Sequence, residues 1–406
     1  MDRNYKNKLQ SLGVYFGSKE KLEFKSVHTE TISELEGITQ TNSLGELFYK
    51  ERLYEIYHQH GDISFKNLFQ ESYLINLPDR EQKYPLDKCL FIDTETTGLS
   101  YSGGTFAFMI GAGYFQNNEF IVRQYFLRNP MEEEAMLLDF ENLVSNFDTL
   151  VSYNGISFDV PIIKTRFRYH RLPTTLTNKS HIDLLKYARM LFRYQFEDRS
   201  LKSIETNVLK FTRAEEEIPG FLAPIIYQEY LQTKDLSGIY GVFYHNEMDV
   251  VSLVALISII NKISLEYEDY FEDYETINFS LAKQFEKNKD YQKAIESYTK
   301  AIEKNNLPEK ILVKSFLGIA NLFKKNRQFE EAIPYWHKAA ELNSIEALIE
   351  LSKINEHQLK SYDIAINCCK QALMILNNKV DSIYKSTQIH KLDHRLSRLE
   401  SKVKNE

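Results

Sequence analysis

An apolar run that ends in two acids, CLFIDTETTGLS at residues 89–100, limits the folds open to this chain more than any other feature. The run from Cys89 to Ile92 is typical of a buried strand. Asp93 and Glu95 are two positions apart, and an extended chain places such residues on one face. Carboxylates at the end of a buried strand are costly unless a cation offsets them, and a divalent ion does so directly. The segment therefore predicts a strand end that holds a metal.

The segments around this strand predict an α/β domain over residues 86–275. GTFAFMIGAGYF and EFIVRQYFL are strand-like runs, and the QNN between them has turn-forming asparagines that predict a hairpin. PMEEEAMLLDFENLVSNF begins with proline and acids, as helices do, and DTLVSYNG is a further short strand. Helices are predicted in FDVPIIKTRFRYHRL, IDLLKYARMLFRYQF, LKSIETNVL and HNEMDVVSLVALISIINKI. Three strands in a meander, then alternating helices and a strand, predict a mixed sheet with flanking helices, in the order of ribonuclease H-like folds.

Residues 1–85 precede this domain as an N-terminal extension. LGELFYKERLYEIYHQHG within it alternates enough to hold a strand or two. No pattern in the extension assigns it a role.

The chain from residue 279 to residue 406 repeats itself. AIESYTKAI at Ala294, AIPYWHKAA at Ala332 and AINCCKQAL at Ala365 are spaced by 38 and 33 residues. Each unit has an alanine, a bulkier residue four positions on, and an alanine three positions later, a spacing that lets paired helices approach closely. The units resemble tetratricopeptide repeats, and this resemblance implies an all-α domain with a groove for a protein partner.

Composition excludes several classes of protein. A length of 406 residues suggests two or three domains, and shares of 43% apolar and 26% charged residues are ordinary for globular proteins. The chain has no apolar stretch of membrane length and no secretory signal pattern near its start, so we expect a cytoplasmic protein. Three cysteines, Cys89, Cys368 and Cys369, cannot assemble a disulfide framework or a thiolate zinc site.

The distribution of charge points to nucleic acid. The net charge of -7 argues against a protein that coats polyanions indiscriminately, but residues 160–213 carry twelve Lys or Arg against four acids. Aromatic residues run through this stretch, and positive charge with interleaved rings suits a single-stranded nucleic-acid path. The same pattern is expected of a solvated helix face whose rings point into the core.

Two later segments supply companions for the acids of the strand. YNGISFD provides Asn154, Phe158 and Asp159 at the start of a helix. HNEMD provides His245 and Asp249 four positions apart, so that imidazole and carboxylate share one helical face. Four acids and a base in this order form a compound signal.

Three motifs are similar to those of the DnaQ-like DEDD exonuclease superfamily. FIDTETTGL resembles its first motif, LVSYNGISFDVPII its second and HNEMDVVSL its third, together over residues 88–260. The third motif departs from the family pattern, because Tyr244 and His245 are swapped relative to the histidine and tyrosine branches. His245 is favoured as the base, since bacterial ribonuclease H-like proteins with fused tetratricopeptide repeats have a similar HN…D motif. Within that group the chain resembles mitomycin-repair-type exonucleases thought to act beside a DNA helicase; SLKSIETNVL and the IPG at 218–220 are also similar.

The resemblance implies a 3′–5′ exonuclease with two ions, Mg²⁺ or Mn²⁺. Asp93 would bridge the ions, Glu95 and Asp249 would complete the first, and Asp159 would hold the second. His245 would accept the proton of the attacking water. The residues expected at the last nucleotide are Thr96, Gly98, Leu99, Asn154 and Phe158.

Some of these residues also have ordinary structural explanations. Gly98 and Asn154 are typical of turns, and Phe158 of a core. Asp183 is either a fifth acid near the metals or a helix cap. Glu247 lies two positions along the helix from His245 and should point elsewhere.

The resemblance leaves three functions open. The first is exonuclease action on a single-stranded 3′ end, either of DNA in repair or of RNA in processing. The second is an internal cut, as made by ribonuclease H or junction resolvases. The third is a scaffold without catalysis, which the presence of all four acids disfavours because an inert fold has no use for uncompensated negative charge.

Overall fold

The computed structural model describes residues 35–76, 79–98, 104–214, 217–265, 274–304, 306–378 and 382–404. Within these ranges the chain forms a seven-stranded mixed sheet with flanking helices, followed by a series of helices. The fold class predicted from the sequence is thereby confirmed.

The strands are, in chain order, β1 (Ile38–Asn42), β2 (Gly45–Glu55), β3 (Gln59–His60), β4 (Ile63–Ser64), β5 (Tyr73–Asn76), β6 (Asp79–Pro85), β7 (Cys89–Thr96), β8 (Ala107–Gln116), β9 (Glu119–Phe126), β10 (Thr149–Ser152) and β11 (Ser180–Asp183). Seven of them form one sheet in the order β1-β2-β9-β8-β7-β10-β11, while β3 pairs with β4 and β5 with β6. Neighbours are antiparallel from β1 to β7 and parallel from β7 to β11.

The centre of the sheet is built from the two most apolar strands. In β7 every residue is buried except Asp93, which is partly exposed, and in β8 every residue is buried except Gln116. The turn from β8 to β9 passes through Asn117 and Asn118, whose φ angles of 51° and 65° are left-handed. Asparagine tolerates this conformation, and the predicted hairpin is confirmed.

The helices of the sheet region are α1 (Phe65–Glu71), α2 (Glu133–Val144), α3 (Asp159–Tyr169), α4 (Leu184–Leu191), α5 (Leu201–Ile204), α6 (Ala223–Thr233) and α7 (Ser237–Ser264). A π-helical stretch, Glu205–Leu209, follows α5 directly. The helix predicted in IDLLKYARMLFRYQF begins later than expected, because Ile182 and Asp183 pair with β10 as part of β11.

Helix α7 is the longest element of this region and packs against β7, β8 and β9. Every residue from Val250 to Ser264 is buried, as expected for a helix that is apolar on all sides. Among the described residues, no helix combines the length and apolar character needed to span a membrane.

The described part of residues 1–85 contributes strands to the main sheet. β2 pairs with β9 from Tyr49 opposite Tyr125 to Glu55 opposite Glu119, and β1 forms the sheet edge beside β2. A boundary at residue 86 would therefore separate strands of one sheet.

Seven helices follow the sheet region: α8 (Ile277–Lys287), α9 (Tyr291–Ile302), α10 (Glu309–Lys325), α11 (Phe329–Glu341), α12 (Ile345–His357), α13 (Tyr362–Asn377) and α14 (Ile383–Val403). The repeated alanines of α9, α11 and α13 are fully buried, as are the bulkier residues between them, Tyr298, Trp336 and Cys369. Successive helices pack in pairs through these positions. The helical character is confirmed, and the tetratricopeptide assignment stays a prediction.

Candidate active site

The predicted site forms where parallel strands β7 and β10 end at the same edge of the sheet. Asp93 and Glu95 lie in the second half of β7, and the chain leaving β10 reaches Asp159 at the first turn of α3. Helix α7 crosses this edge with His245 and Asp249. The structure therefore places all five residues that were predicted to be catalytic at this edge of the sheet.

Asp93 is held by an amide that sequence reasoning missed. The Nδ2 of Asn246 donates to Asp93 Oδ2 at 2.9 Å and to the main-chain oxygen of Asp93 at 3.3 Å. Asn246 is fully buried, and its Oδ1 accepts from Gln124 Nε2 at 3.0 Å. Gln124 also donates to the main-chain oxygen of Phe243 at 2.8 Å. This chain of bonds orients the first acid of the site.

Close packing of α7 on β8 makes that contact possible. A Cβ atom at Gly111 would lie 2.4 Å from Asn246 Oδ1, and one at Gly113 would lie 2.6 Å from a methyl carbon of Val250. A side chain at either position would therefore collide with side chains of α7. The glycines of β8 thus set the distance between Asn246 and Asp93.

Negative charge is concentrated at the site. Burial, followed by the charges of Asp249 and Asp159, raises the pKa of Asp93 well above its ordinary range. Burial and the charges of Asp93, Asp249 and Asp159 do the same to the pKa of Glu95. Burial raises the pKa of Asp159 to about 6, although a hydrogen bond from Thr94 Oγ1 acts in the opposite direction. The acids influence one another strongly, which is the arrangement that a cation would relieve.

Asp159 is placed by a turn that Asp183 organises. The main-chain amides of Asn154, Ile156 and Leu185 donate to the carboxylate of Asp183 at 2.8, 3.4 and 3.1 Å. Asp183 is therefore the N-cap of α4 and also secures the turn that leads into α3. Of the two expectations for this residue, the helix cap is confirmed.

His245 lies between two of the acids. Its Nε2 is 3.9 Å from Glu95 Oε1 and 3.8 Å from Asp249 Oδ2. The hydroxyl of Tyr244, the other candidate base, accepts from the main-chain amide of Ala214 at 3.1 Å. The geometry thus places the imidazole, and not the phenol, beside the acids.

A buried arginine joins the site from the segment before the IPG motif. Arg213 donates through Nη2 to Asp249 Oδ1, and through Nε and Nη2 to the carboxylate of Glu205 at 2.7 and 2.6 Å. Its Nη1 donates to Glu217 Oε1 at 2.8 Å and lies 3.0 Å from His245 Nδ1. Only 5% of its side chain is exposed, so these contacts fix its position.

Sequence reasoning counted Arg213 only as one of the twelve Lys or Arg of the basic stretch and so missed its place in the site. The available signal was its position between two segments already singled out, SLKSIETNVL and IPG, together with Glu205 in the first and Glu217 directly before the second. Glu217 Oε1 lies 3.1 Å from His245 Nδ1. A Cβ atom at Gly220 would lie 2.8 Å from His245 Nε2.

Comparison with known proteins agrees with this geometry. Residues 90–261 match the family model described as RNase_H superfamily. The uncharacterized protein YprB of Bacillus subtilis (strain 168) is 31% identical over 332 residues, which cover 80% of this chain and 79% of that protein.

The chain belongs to the same family as YprB, and its residues 90–261 form a domain of the ribonuclease H superfamily. The matched residues of the superfamily run from β7 into α7 and contain every predicted catalytic residue. A family B DNA polymerase from the hyperthermophilic archaeon Pyrobaculum calidifontis is similar at 14% identity with a TM-score of 0.35. That similarity covers 52% of this chain and 28% of the polymerase.

Ribonuclease H-like nucleases generally use divalent metals, and the acids of this site have suitable chemistry. Carboxylate oxygens are preferred ligands of Mg²⁺ and Mn²⁺. Three of the acids are bonded to protein donors: Asp93 to Asn246, Asp159 to Thr94 and Asp249 to Arg213. Within the described ranges, no three His, Cys, Asp or Glu side chains are grouped closely enough to hold a metal ion. Ligation would exchange these protein contacts for contacts to the ion.

The residues expected to contact the substrate differ in their exposure. Thr96 is buried and donates through Oγ1 to the main-chain oxygen of Gly98 at 2.9 Å. Asn154 is exposed with a left-handed φ of 67°, and Phe158 is half-buried directly before α3. Leu99 lies outside the described residues. Ordinary turn geometry accounts for the backbone of Asn154.

Glu247 points away from the site, as expected. It accepts a hydrogen bond from the Tyr54 hydroxyl and lies 3.1 Å from the guanidinium of Arg52, both on β2.

The basic stretch of residues 160–213 divides into core and surface. Its rings Phe167, Tyr187 and Phe192 are buried in the core. Arg166 is also buried, in an ion pair with Glu133. The exposed part includes Arg168, Arg171, Lys186, Arg189 and Arg193. The rings expected along a nucleic-acid path therefore belong mainly to the core, while the surface keeps the positive charge.

Proposed function

We propose that this protein is a metal-dependent 3′–5′ exonuclease that hydrolyses single-stranded nucleic acid. We propose that its substrate is DNA and that it acts in DNA repair. The observation that carries the proposal is the meeting of Asp93, Glu95, Asp159 and Asp249 with His245 at one edge of the sheet. The ribonuclease H superfamily membership supports nuclease chemistry at this place.

Each side chain has a role that follows from its contacts. Two divalent ions, when bound, supply a nucleophile from water near neutral pH and offset charge on the leaving oxygen. Asp93, Glu95, Asp159 and Asp249 would hold these ions. His245 is suited to accept the proton of the water, because its Nε2 lies within 4 Å of both Glu95 and Asp249.

The rim of the site suits the end of a strand. Phe158 is half-buried and can stack against a terminal base, while the exposed Asn154 can bond a phosphate. The last nucleotide would lie beside the main chain of Thr96 and Gly98, which the hydrogen bond from Thr96 Oγ1 holds together.

The C-terminal helices would bind a protein partner, for which a DNA helicase is our expectation. Ile364 and Met374 on α13 are 50% and 65% exposed, and Leu359, in the connection that precedes α13, is 53% exposed. These exposed apolar side chains support the proposal of a protein-binding surface on this part of the chain.

The direct test uses a single-stranded oligonucleotide labelled at its 5′ end and incubated with Mg²⁺ or Mn²⁺. A 3′–5′ exonuclease produces a ladder of shortened labelled strands and leaves a closed circular strand intact. Asp93→Asn should abolish the ladder. Asp363→Asn, which changes an exposed acid on α13, should not. Equal rates for Asp93→Asn and the wild type would overturn the proposal, and cleavage of the circle would favour an internal cut.

A further inference from the structure

A positively charged groove of about 400 Å³ lies between α12 and α14, in the C-terminal helices. Its lining includes four Lys or Arg and two His and no Asp or Glu: Lys353, His390, Lys391, His394, Arg395 and Arg398. The groove therefore concentrates positive charge in a chain whose net charge is -7.

Buried Glu356 on α12 fixes the cations of this groove. Its carboxylate accepts from Arg395 at 2.7 Å, from Arg398 at 2.6 Å and from Lys402 at 2.9 Å. One negative charge thus faces three positive charges, so two of the positive charges are not neutralised by Glu356. The guanidinium groups are held in place with further donors available for a ligand.

The outer part of the groove has free donors. His390, Lys391 and His394 are exposed, and none of their side chains has a hydrogen bond or ion pair to another described residue. Lys353 bonds Glu350 at 2.6 Å, and Glu350 also accepts from Lys324. Asp393 lies among these residues in sequence and does not line the groove.

We infer that this groove binds the phosphodiester backbone of the nucleic acid on which the same chain acts. Arginines fixed by Glu356 beside the exposed Lys391 are suited to phosphate oxygens. A strand held at the catalytic site and long enough to reach the groove would be present there at a high effective concentration, which a free acidic peptide is not. The inference rests on nucleic-acid binding by this chain and makes the helical region a second contact for the substrate.

The test measures binding without hydrolysis, using the full chain with Asp93→Asn in EDTA. Fluorescence anisotropy is recorded for single strands of roughly 6 and roughly 40 nucleotides, in DNA and RNA form, across a series of salt concentrations. Lys353→Ala/Lys391→Ala removes two groove charges, and Lys300→Ala/Lys370→Ala removes two exposed charges outside it. Thermal unfolding verifies that both double variants are folded.

We expect the groove variant to bind the long strand about 10-fold more weakly and to reduce the slope of log K against log salt by about 1.4. The short strand should bind both double variants equally well. Equal binding of the long strand by the two double variants would overturn the inference. So would competition by polyglutamate as effective as that by the long strand, because it would indicate an acidic protein ligand.

This result is separable from the fate of the exonuclease proposal. If the groove variant binds the long strand more weakly but the wild type does not hydrolyse it, only the proposed activity is contradicted. Hydrolysis by the wild type, together with a groove variant that binds the long strand as well as the control variant does, would contradict only the inference about the groove. Removing Lys353 also removes its contact with Glu350, and this loss could disturb the fold. The single variant Lys391→Ala, at an exposed position, avoids this effect and should reduce the slope of log K against log salt by about 0.7.

Discussion

The guanidinium of Arg213 donates to the carboxylate of Asp249, the acid one helical turn after His245. The same guanidinium holds Glu205, of which 1% of the side chain is exposed, and Glu217. Arg213 therefore fixes the orientation of Asp249 and connects it to the segment that covers His245.

The first prediction concerns the geometry of Arg213. Arg213→Lys keeps the charge but loses the planar fork that serves Asp249, Glu205 and Glu217 together. We expect kcat to fall about 10- to 100-fold, as is typical when a group that orients a metal ligand is changed. Steady-state hydrolysis of a labelled strand measures this. Lys202→Arg, at an exposed lysine paired with Glu217, is the matched control and should leave kcat unchanged.

Removing the charge of Arg213 should also destabilise the fold. Arg213→Met leaves Glu205 buried without its cation, which costs about 3–5 kcal/mol. Arg213→Met/Glu205→Gln should recover much of that stability without recovering activity. Denaturant unfolding of both variants tests this, and a single variant as stable as the wild type would contradict it.

The second prediction concerns Asn246. Asn246→Ala removes the bond to Asp93 and leaves Gln124 without one acceptor inside the protein. We expect a loss of about 1–3 kcal/mol of stability and a fall in kcat of about 10-fold or more. Asn207→Ala, which removes a helix-surface amide bonded to Ser203, serves as the control. A variant with normal kcat would show that Asp93 needs no such support.

The third prediction concerns Gly220. The Cβ atom added by Gly220→Ala would meet the Nε2 of His245 at 2.8 Å and displace the ring. We expect kcat to fall about 10-fold or more, since small displacements of reacting groups are costly. Thermal unfolding should change little. Gly104→Ala meets no atom within 4 Å and should behave as the wild type in both measurements.

The fourth prediction concerns the acid stability of the fold. Burial, followed by the charges of His58 and Arg213, lowers the pKa of His60 from 6.5 to about 3. Its imidazole is bonded to Ser252 at 2.8 Å and stacked on Phe211. Between pH 3 and 6.5 the unfolded state binds the proton that the folded state excludes, so this contribution to stability is complete above pH 6.5 and is lost as the pH falls.

Melting temperatures of the wild type and His60→Asn between pH 7 and pH 4.5 measure this contribution. The variant lacks the titrating group, so it should lose about 2–3 kcal/mol less than the wild type over this interval. His394→Asn changes an exposed histidine and should follow the wild type. Parallel curves for His60→Asn and the wild type would contradict the prediction.

Local patterns were sufficient for much of the fold and for the identity of the acids. Alternation in β7 places Asp93 and Glu95 on one face, and helical spacing places His245 beside Asp249. The asparagines of the β8–β9 turn and the buried alanines of the later helices were also readable, because these signals depend on neighbours in sequence.

Only the tertiary structure decided how those residues are supported. Gln124 and Asn246 are 122 residues apart, and Arg213 and Asp249 are 36 apart, so no local periodicity could pair them. The pairing of β2 with β9 and the groove between α12 and α14 likewise arise from packing between distant segments. Local sequence sets the backbone conformation and the face of each residue, whereas the partners of a buried polar group depend on which surfaces pack together.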